Sequence, residues 1–324
     1  MRPRSGFYLL LGVLLAAAAE VSAAGLLPGD FVVVSPYSHA SPSGSQGVLV
    51  TVDGALQSSS VIALGGFLPS ATDVCVRSQG DVLVTVSGTG VVRVDPATGD
   101  QTVFASAIVL GDGVASGIAV GPDGAVYVSM QSSASRVVQL SNSGAFERVV
   151  TSGGFLPLPA GMCFGNDGAL YVCGTIPYPQ GEGGGLVRVD LASGAQSVIA
   201  TMGVLVGPFH VAQAPDGTLW SVQFGGLSTR SNACVIRTRI SDGYSERVTM
   251  FDCTAYGIAI RWDGTTIVGE CMRIHGDCGG ESALYLADAS GTRLWGYSGP
   301  VAVVPADVTP VRRSTWGAVK TLYR

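Results

Sequence analysis

Short apolar runs of four to six residues, rich in Val, Ile and Leu, recur along the chain and are bounded by Gly, Asp and Pro. Runs of this length and composition predict strands rather than helices. Those that lead into a Gly-containing turn begin at Asp73, Gly117, Gly161, His210, Gly257 and Asp307, at intervals of 44 to 50 residues. A repeat of about 47 residues has the size of a propeller blade. The turns that follow include Pro122-Asp123-Gly124, Asn166-Asp167-Gly168, Pro215-Asp216-Gly217 and Trp262-Asp263-Gly264. Asp-Gly supplies the left-handed backbone of a tight hairpin. Second strands are then expected at Asp81–Val86, Ala125–Val128, Ala169–Val172 and Thr218–Val222. Third strands fall at Val91–Asp95, Leu186–Asp190 and Ala283–Leu286, and fourth strands at Gln101–Phe104, Gln196–Ile199 and Thr292–Trp295.

The first unit is incomplete. Asp30–Val34, Gly47–Val52 and Ser60–Ala63 read as its second, third and fourth strands, with no first strand before them. Pro305–Pro310 supplies a candidate, so the expected fold is an all-β, six-bladed propeller of four-stranded blades. The C-terminal strand would complete the N-terminal blade and leave no exposed edge.

Composition narrows the class. With 47% hydrophobic and 13% charged residues the chain can bury a core, and 46 glycines disfavour a helical domain. A net charge of −5 without a basic cluster excludes a nucleic-acid partner. Arg2 and Arg4, the apolar run Phe7–Ala19 and the small residues Val21-Ser22-Ala23 read as a secretory signal over residues 1–23. Residues 24–324 then form one domain, secreted or periplasmic, monomeric and without a membrane anchor.

The string Gly117-Ile-Ala-Val-Gly-Pro-Asp-Gly-Ala-Val-Tyr-Val128 resembles the blade motif of NHL-repeat proteins, of virginiamycin B lyase and, more loosely, of the senescence marker protein/gluconolactonase family. The resemblance implies a propeller of six or seven blades, with a divalent metal and acidic or His residues at the central opening of the enzymatic members. The acidic residue that ends lyase-type second strands is replaced at Val86, Met130, Gly174 and Gln223, and only Glu270 is acidic. The Glu-Gly-Pro and Pro-Asn-Gly strings of the gluconolactonase metal set do not occur.

Ring geometry supplies its own candidates. Asp73, His210 and Asp307 begin equivalent inner strands, and Gly117, Gly161 and Gly257 hold the other three positions. These glycines are expected to leave room for a ligand, with Glu270 near the same rim. Asp73, His210, Glu270 and Asp307 form the candidate ligand set, and His210 and Glu270 are the candidate acid and base. The candidate cofactor is one divalent cation, calcium, magnesium or zinc. The plainer alternative is that these groups bind water. Loops on the same face carry Tyr37, His39, Tyr178, Arg230, Arg273 and His275. Among seven cysteines, Cys271 and Cys278 bracket one loop and are expected to pair; Cys234 and Cys253 flank a hairpin. Two functions stay open. One is a binding propeller presenting its loop face to a small molecule, glycan or protein. The other is a metal-dependent hydrolase or lyase acting on a small lactone or ester at the channel mouth.

Overall fold

The computed structural model describes residues 26–35, 46–53, 58–156, 158–178, 181–201, 203–223, 233–251, 254–271, 283–286, 293–295 and 300–307. The chain begins with β1 (Phe31–Ser35), β2 (Val48–Val52) and β3 (Ser59–Leu64). A second group is β4 (Ala71–Val76), β5 (Val82–Val86), β6 (Gly90–Val94) and β7 (Gln101–Ser106), followed by one helical turn, α1 (Ala107–Leu110). A third is β8 (Val114–Val120), β9 (Val126–Gln131), β10 (Arg136–Leu140) and β11 (Phe146–Ser152). Next come β12 (Leu158–Phe164), β13 (Leu170–Tyr178), β14 (Gly181–Val189) and β15 (Gln196–Thr201). Then follow β16 (Pro208–Gln213), β17 (Leu219–Gln223), β18 (Ala233–Thr238) and β19 (Ser245–Phe251). The last are β20 (Thr254–Ile260), β21 (Thr266–Cys271), β22 (Ala283–Leu286), β23 (Arg293–Trp295) and the single strand β24 (Val301–Val303).

These strands make six four-stranded antiparallel sheets. Five are continuous in sequence, and the remaining one has the order β24-β1-β2-β3. Its inner strand pairs through Phe31 with Val303 and Val33 with Val301. The strand beside β1 is therefore Val301–Val303, not the expected Pro305–Pro310. Pro305 has no N–H to donate, so the ladder stops before it. The inner strands β24, β4, β8, β12, β16 and β20 contact one another in that cyclic order, and β20 meets β24 again.

Middle strands such as β1, β2, β5 and β9 are buried on both faces, which explains why they read as nearly unbroken apolar runs, whereas outer strands such as β7 and β11 stay partly exposed. In β1, Val32 and Val34 pack with Val74, Val84 and Val92 of the next sheet, whereas Phe31 and Val33 pack with Ala259 and Ile267 of the preceding one. Burying such a side chain contributes roughly 1.5–3 kcal/mol, so these intersheet layers are the main source of stability.

Neighbouring sheets also interlock through their connectors. Each described connector between an outer strand and the next inner strand buries one leucine: Leu68, Leu110, Leu156 and Leu205 are at most 2% exposed. Turns between third and fourth strands rest on the outer strand of the sheet before. A Cβ on Gly194 (φ 71°) would stand 2.3 Å from the Val150 carbonyl oxygen, so this turn requires glycine for contact as well as for backbone conformation. No helix among the described residues is long and apolar enough to cross a membrane.

Candidate functional site

Asp73 and His210 meet at the centre of the ring. Their strands, β4 and β16, are three steps apart in the cycle of inner strands, so the pair spans the channel. The His210 Nε2 lies 3.0 Å from the Asp73 Oδ1. Asp73 is 1% exposed and His210 8%. The carboxylate also accepts the Val74 N–H at Oδ1 (2.8 Å) and the Ile118 N–H of β8 at Oδ2 (2.9 Å). On the far side of the imidazole, Nδ1 accepts the Ile258 N–H of β20 at 3.4 Å. That acceptor role assigns the proton of the neutral ring to Nε2, which donates it to Asp73. Two side chains thereby join four inner strands.

A local irregularity aims them. The register between first and second strands shifts between Ala71 and Asp73, Ala115 and Gly117, Pro208 and His210, and Ala255 and Gly257. A shift also falls between Pro159 and Met162 in β12, around Gly161. One extra residue at this point bends the strand and re-aims the next side chain. Beyond the shift, Asp73 opposes Thr85, Gly117 opposes Ser129, His210 opposes Val222 and Gly257 opposes Gly269.

Gly117 and Gly161 do not leave room for a ligand. A Cβ on Gly117 would lie 2.3 Å from the Ala160 carbonyl oxygen, and one on Gly161 would lie 2.8 Å from the His210 Cα. Their missing side chains let adjacent inner strands approach closely. Small second-strand side chains complete the packing. Ser129 Oγ donates to the Ala160 carbonyl (2.7 Å) and accepts the Gly117 N–H, while the Cys173 thiol donates to the Gly161 carbonyl (3.3 Å).

Of the four candidate ligands, the structure brings Asp73 and His210 together. Asp307 stands in an exposed turn beyond β24, because the closing strand ends before it. Glu270, on β21, opposes Ala255 of β20, and its side chain lies outside the described residues. Among the described residues, no group of three or more His, Cys, Asp or Glu could hold a metal ion. Tyr37, His39, Arg230, Arg273, His275, Cys253 and Cys278 lie outside the described residues, as does the Tyr178 side chain. The expected Cys271–Cys278 pairing therefore rests on sequence.

Electrostatics follow the packing. Burial works against a charged His210, but the adjacent Asp73 carboxylate outweighs it and raises the imidazole pKa above its ordinary value. Cys75, Cys163, Cys173 and Cys234 are free thiols. Burial pushes Cys163 up to about 12 and Cys173 well above the usual range, which leaves both as unreactive packing groups.

Two further clusters escape sequence reasoning. Arg77 grips Asp81 through Nε (2.8 Å) and Nη2, and donates from Nη1 to the Asn142 carbonyl and Oδ1, both at 2.7 Å, in the next sheet. Its guanidinium lies 4.8 Å from the Phe104 ring centre. The second cluster holds the connectors. Gln196 Oε1 accepts the Phe155 N–H (2.7 Å) and its Nε2 donates to the Gly153 carbonyl (3.1 Å). Gln101 Oε1 accepts the Phe67 N–H (2.9 Å) and its Nε2 donates to the Gly65 carbonyl (3.3 Å). The sequence signal is the twice-occurring Gly-Gly-Phe-Leu-Pro, at residues 65–69 and 153–157, each with a Gln opening the following fourth strand.

Four-stranded antiparallel blades around a packed centre define a β-propeller. Solved structures with this fold include TolB from Acinetobacter baumannii (15% identity, TM-score 0.61, 86% of this chain and 67% of that one). A chain of a nidogen/laminin complex is similar over 86% of this chain and 99% of its own, at 10% identity and TM-score 0.62. The PQQ-bound aldose sugar dehydrogenase of Streptomyces coelicolor is similar over 78% of this chain and 93% of its own, at 18% identity and TM-score 0.55. At such identities the likeness carries the fold alone. No family model matches the chain, and no curated protein matches it.

Proposed function

We propose that this protein is an exported binding propeller of six blades, related in blade motif to NHL-repeat proteins, whose connector face receives a protein partner. The observation that carries this reading is the character of four connectors on that face. In an antiparallel four-stranded sheet, the connectors from outer strand to next inner strand all cross the same side of the ring. Connector regions 64–70, 106–114, 152–158 and 201–207 contain a single charged residue, Asp112. They expose Ile108 (92%), Val206 (59%), Leu158 (45%), Val109 (41%) and Phe155 (39%). The opposite side carries Asp123, Asp167, Asp216 and Asp263 in its hairpin turns. An exposed apolar surface of this kind on one face of a repeat fold suits association with an apolar protein surface. At the channel, Asp73 and His210 spend their polar atoms on each other and on backbone amides, which favours binding over metal-dependent catalysis. The six-blade count and closure by β24 rest on the cyclic order of the inner strands. Export rests on the charged and apolar pattern of residues 1–23.

Site-specific photocrosslinking in the producing cell tests this. A photoreactive residue at Ile108 and at Val206 should give one common protein adduct, and the same residue at exposed Asp216 should give none. Equal adducts from all three positions, or none from any, would overturn the reading. Calorimetric titration with calcium, magnesium and zinc tests the enzymatic alternative: one ion bound per chain, and lost in Asp73→Asn, would replace the binding reading with a metal site at the channel.

A further inference from the structure

We infer that the Asp73–His210 pair is a pH-sensitive switch at the ring centre, in which protonation of His210 transfers its hold from two inner strands to one. The geometry defines both states. In the neutral ring, Nε2–H donates to Asp73 on β4 while Nδ1 accepts the Ile258 N–H, so the imidazole bridges β4 and β20. Adding a proton to Nδ1 turns that acceptor into a donor facing another donor. The Ile258 contact, already 3.4 Å long, must then open. In exchange the imidazolium gains a charged hydrogen bond to the Asp73 carboxylate, which the Val74 and Ile118 amides hold in place. Acid thus tightens β16 against β4 and releases β20, and base does the reverse.

Few other groups compete. Among the described side chains on strands packed against β4 and β16, the titratable ones are Cys75 on β4, Cys163 on β12, Tyr171 and Cys173 on β13, Arg188 on β14 and Tyr256 on β20. The Cys75, Cys163 and Cys173 thiols are held neutral by burial. Tyr171 and Arg188 are tied to Asp167, and the Tyr256 ring packs edge-on to Phe209. Asp73 is the carboxylate that faces the imidazole.

The sign of the effect follows from linkage. The His210 pKa is raised in the folded protein, so its proton stabilises the fold fully below the ordinary His value of 6.5. That contribution disappears as pH rises through the raised value. The test is nitrogen and amide NMR of the full chain between pH 5 and 9, in which His210 is one of three histidines. His210 should show the Nε2–H form at high pH and titrate above 6.5. Over the same midpoint the Ile258 amide should shift, and its hydrogen exchange, corrected for intrinsic rate, should become about tenfold faster on acidification. In His210→Gln the Ile258 response should vanish. A His210 that titrates at or below its ordinary value, an Ile258 amide indifferent to pH, or an unchanged response in His210→Gln would each overturn the switch. If that variant does not fold, the wild-type titration alone decides between these outcomes.

Discussion

Asp73 and His210 are 137 residues apart in the chain and 3.0 Å apart at the axis of the ring. The carboxylate satisfies three donors at once: the imidazole Nε2–H and the amides of Val74 and Ile118. Removing it leaves all three buried without an acceptor. Asp73→Ala should therefore cost about 3–5 kcal/mol, the usual penalty for breaking a buried pair from one side. Asp73→Asn keeps one acceptor oxygen and should cost less. Urea denaturation of both variants checks this. Equal midpoints for Asp73→Ala and wild type would mean that the pair does not hold the ring.

Two glycines of one repeat, Gly124 in a turn and Gly117 on an inner strand, should respond differently to alanine. A Cβ on Gly124 (φ 79°) meets nothing within 4 Å, so Gly124→Ala should cost only the backbone strain of about 1–2 kcal/mol. At Gly117 a Cβ would lie 2.3 Å from a carbonyl oxygen of the next inner strand, which can retreat only by moving that strand. Gly117→Ala should cost about 3 kcal/mol or more, at the upper end of overpacking effects. Thermal or chemical melts of the pair would give the order, and a smaller loss at Gly117 would show that the inner strands are not in close contact there.

Gln196 holds the connector into its own sheet with bonds to the Phe155 amide, the Gly153 carbonyl and the Thr151 hydroxyl, the last at 2.8 Å. Gln196→Ala should lose about 1–3 kcal/mol, since typical bonds contribute about 1 kcal/mol each and the connector is partly solvated. Gln139, which accepts an exposed bond from Arg148, provides the control and should change stability by about 0.5 kcal/mol or less. Hydrogen exchange at Phe155 should accelerate in Gln196→Ala alone. Unaltered protection at Phe155 would remove the connector from the account.

β24 pairs with β1, and its Val301 is 1% exposed and packs with Phe31, Val33 and Ile267. Val301→Asp places a charge in this layer without shortening the chain. It should lower the melting temperature by several degrees at least, given that a substitution of this kind costs more than about 2 kcal/mol. A melting temperature within about a degree of wild type would show that β24 does not hold the ends together.

Much of the fold was legible in sequence because its signals are local. β-branched runs and Asp-Gly turns report the conformation of four or five neighbouring residues, and their 44- to 50-residue recurrence reports the unit. The strands expected at Asp81–Val86, Gln101–Phe104 and Gln196–Ile199 coincide closely with β5, β7 and β15. Ring equivalence also placed Asp73 and His210 at one level. What a single chain could not reveal was which surface each position meets. A glycine on an inner strand reads the same whether it makes space or allows contact, and only packing against Ala160 and His210 decides for contact. The shift before Asp73 and His210 has no residue signature of its own, yet it turns both side chains to the axis. The choice of Val301–Val303 over Pro305–Pro310 depended on pairing with Phe31, some 270 residues away. Local periodicity therefore determined the strands and turns, whereas long-range pairing decided which segment lies beside β1, the close approach of inner strands at Gly117 and Gly161, and the joining of Asp73 to His210, because each of those depends on atoms that only the folded sheets bring together.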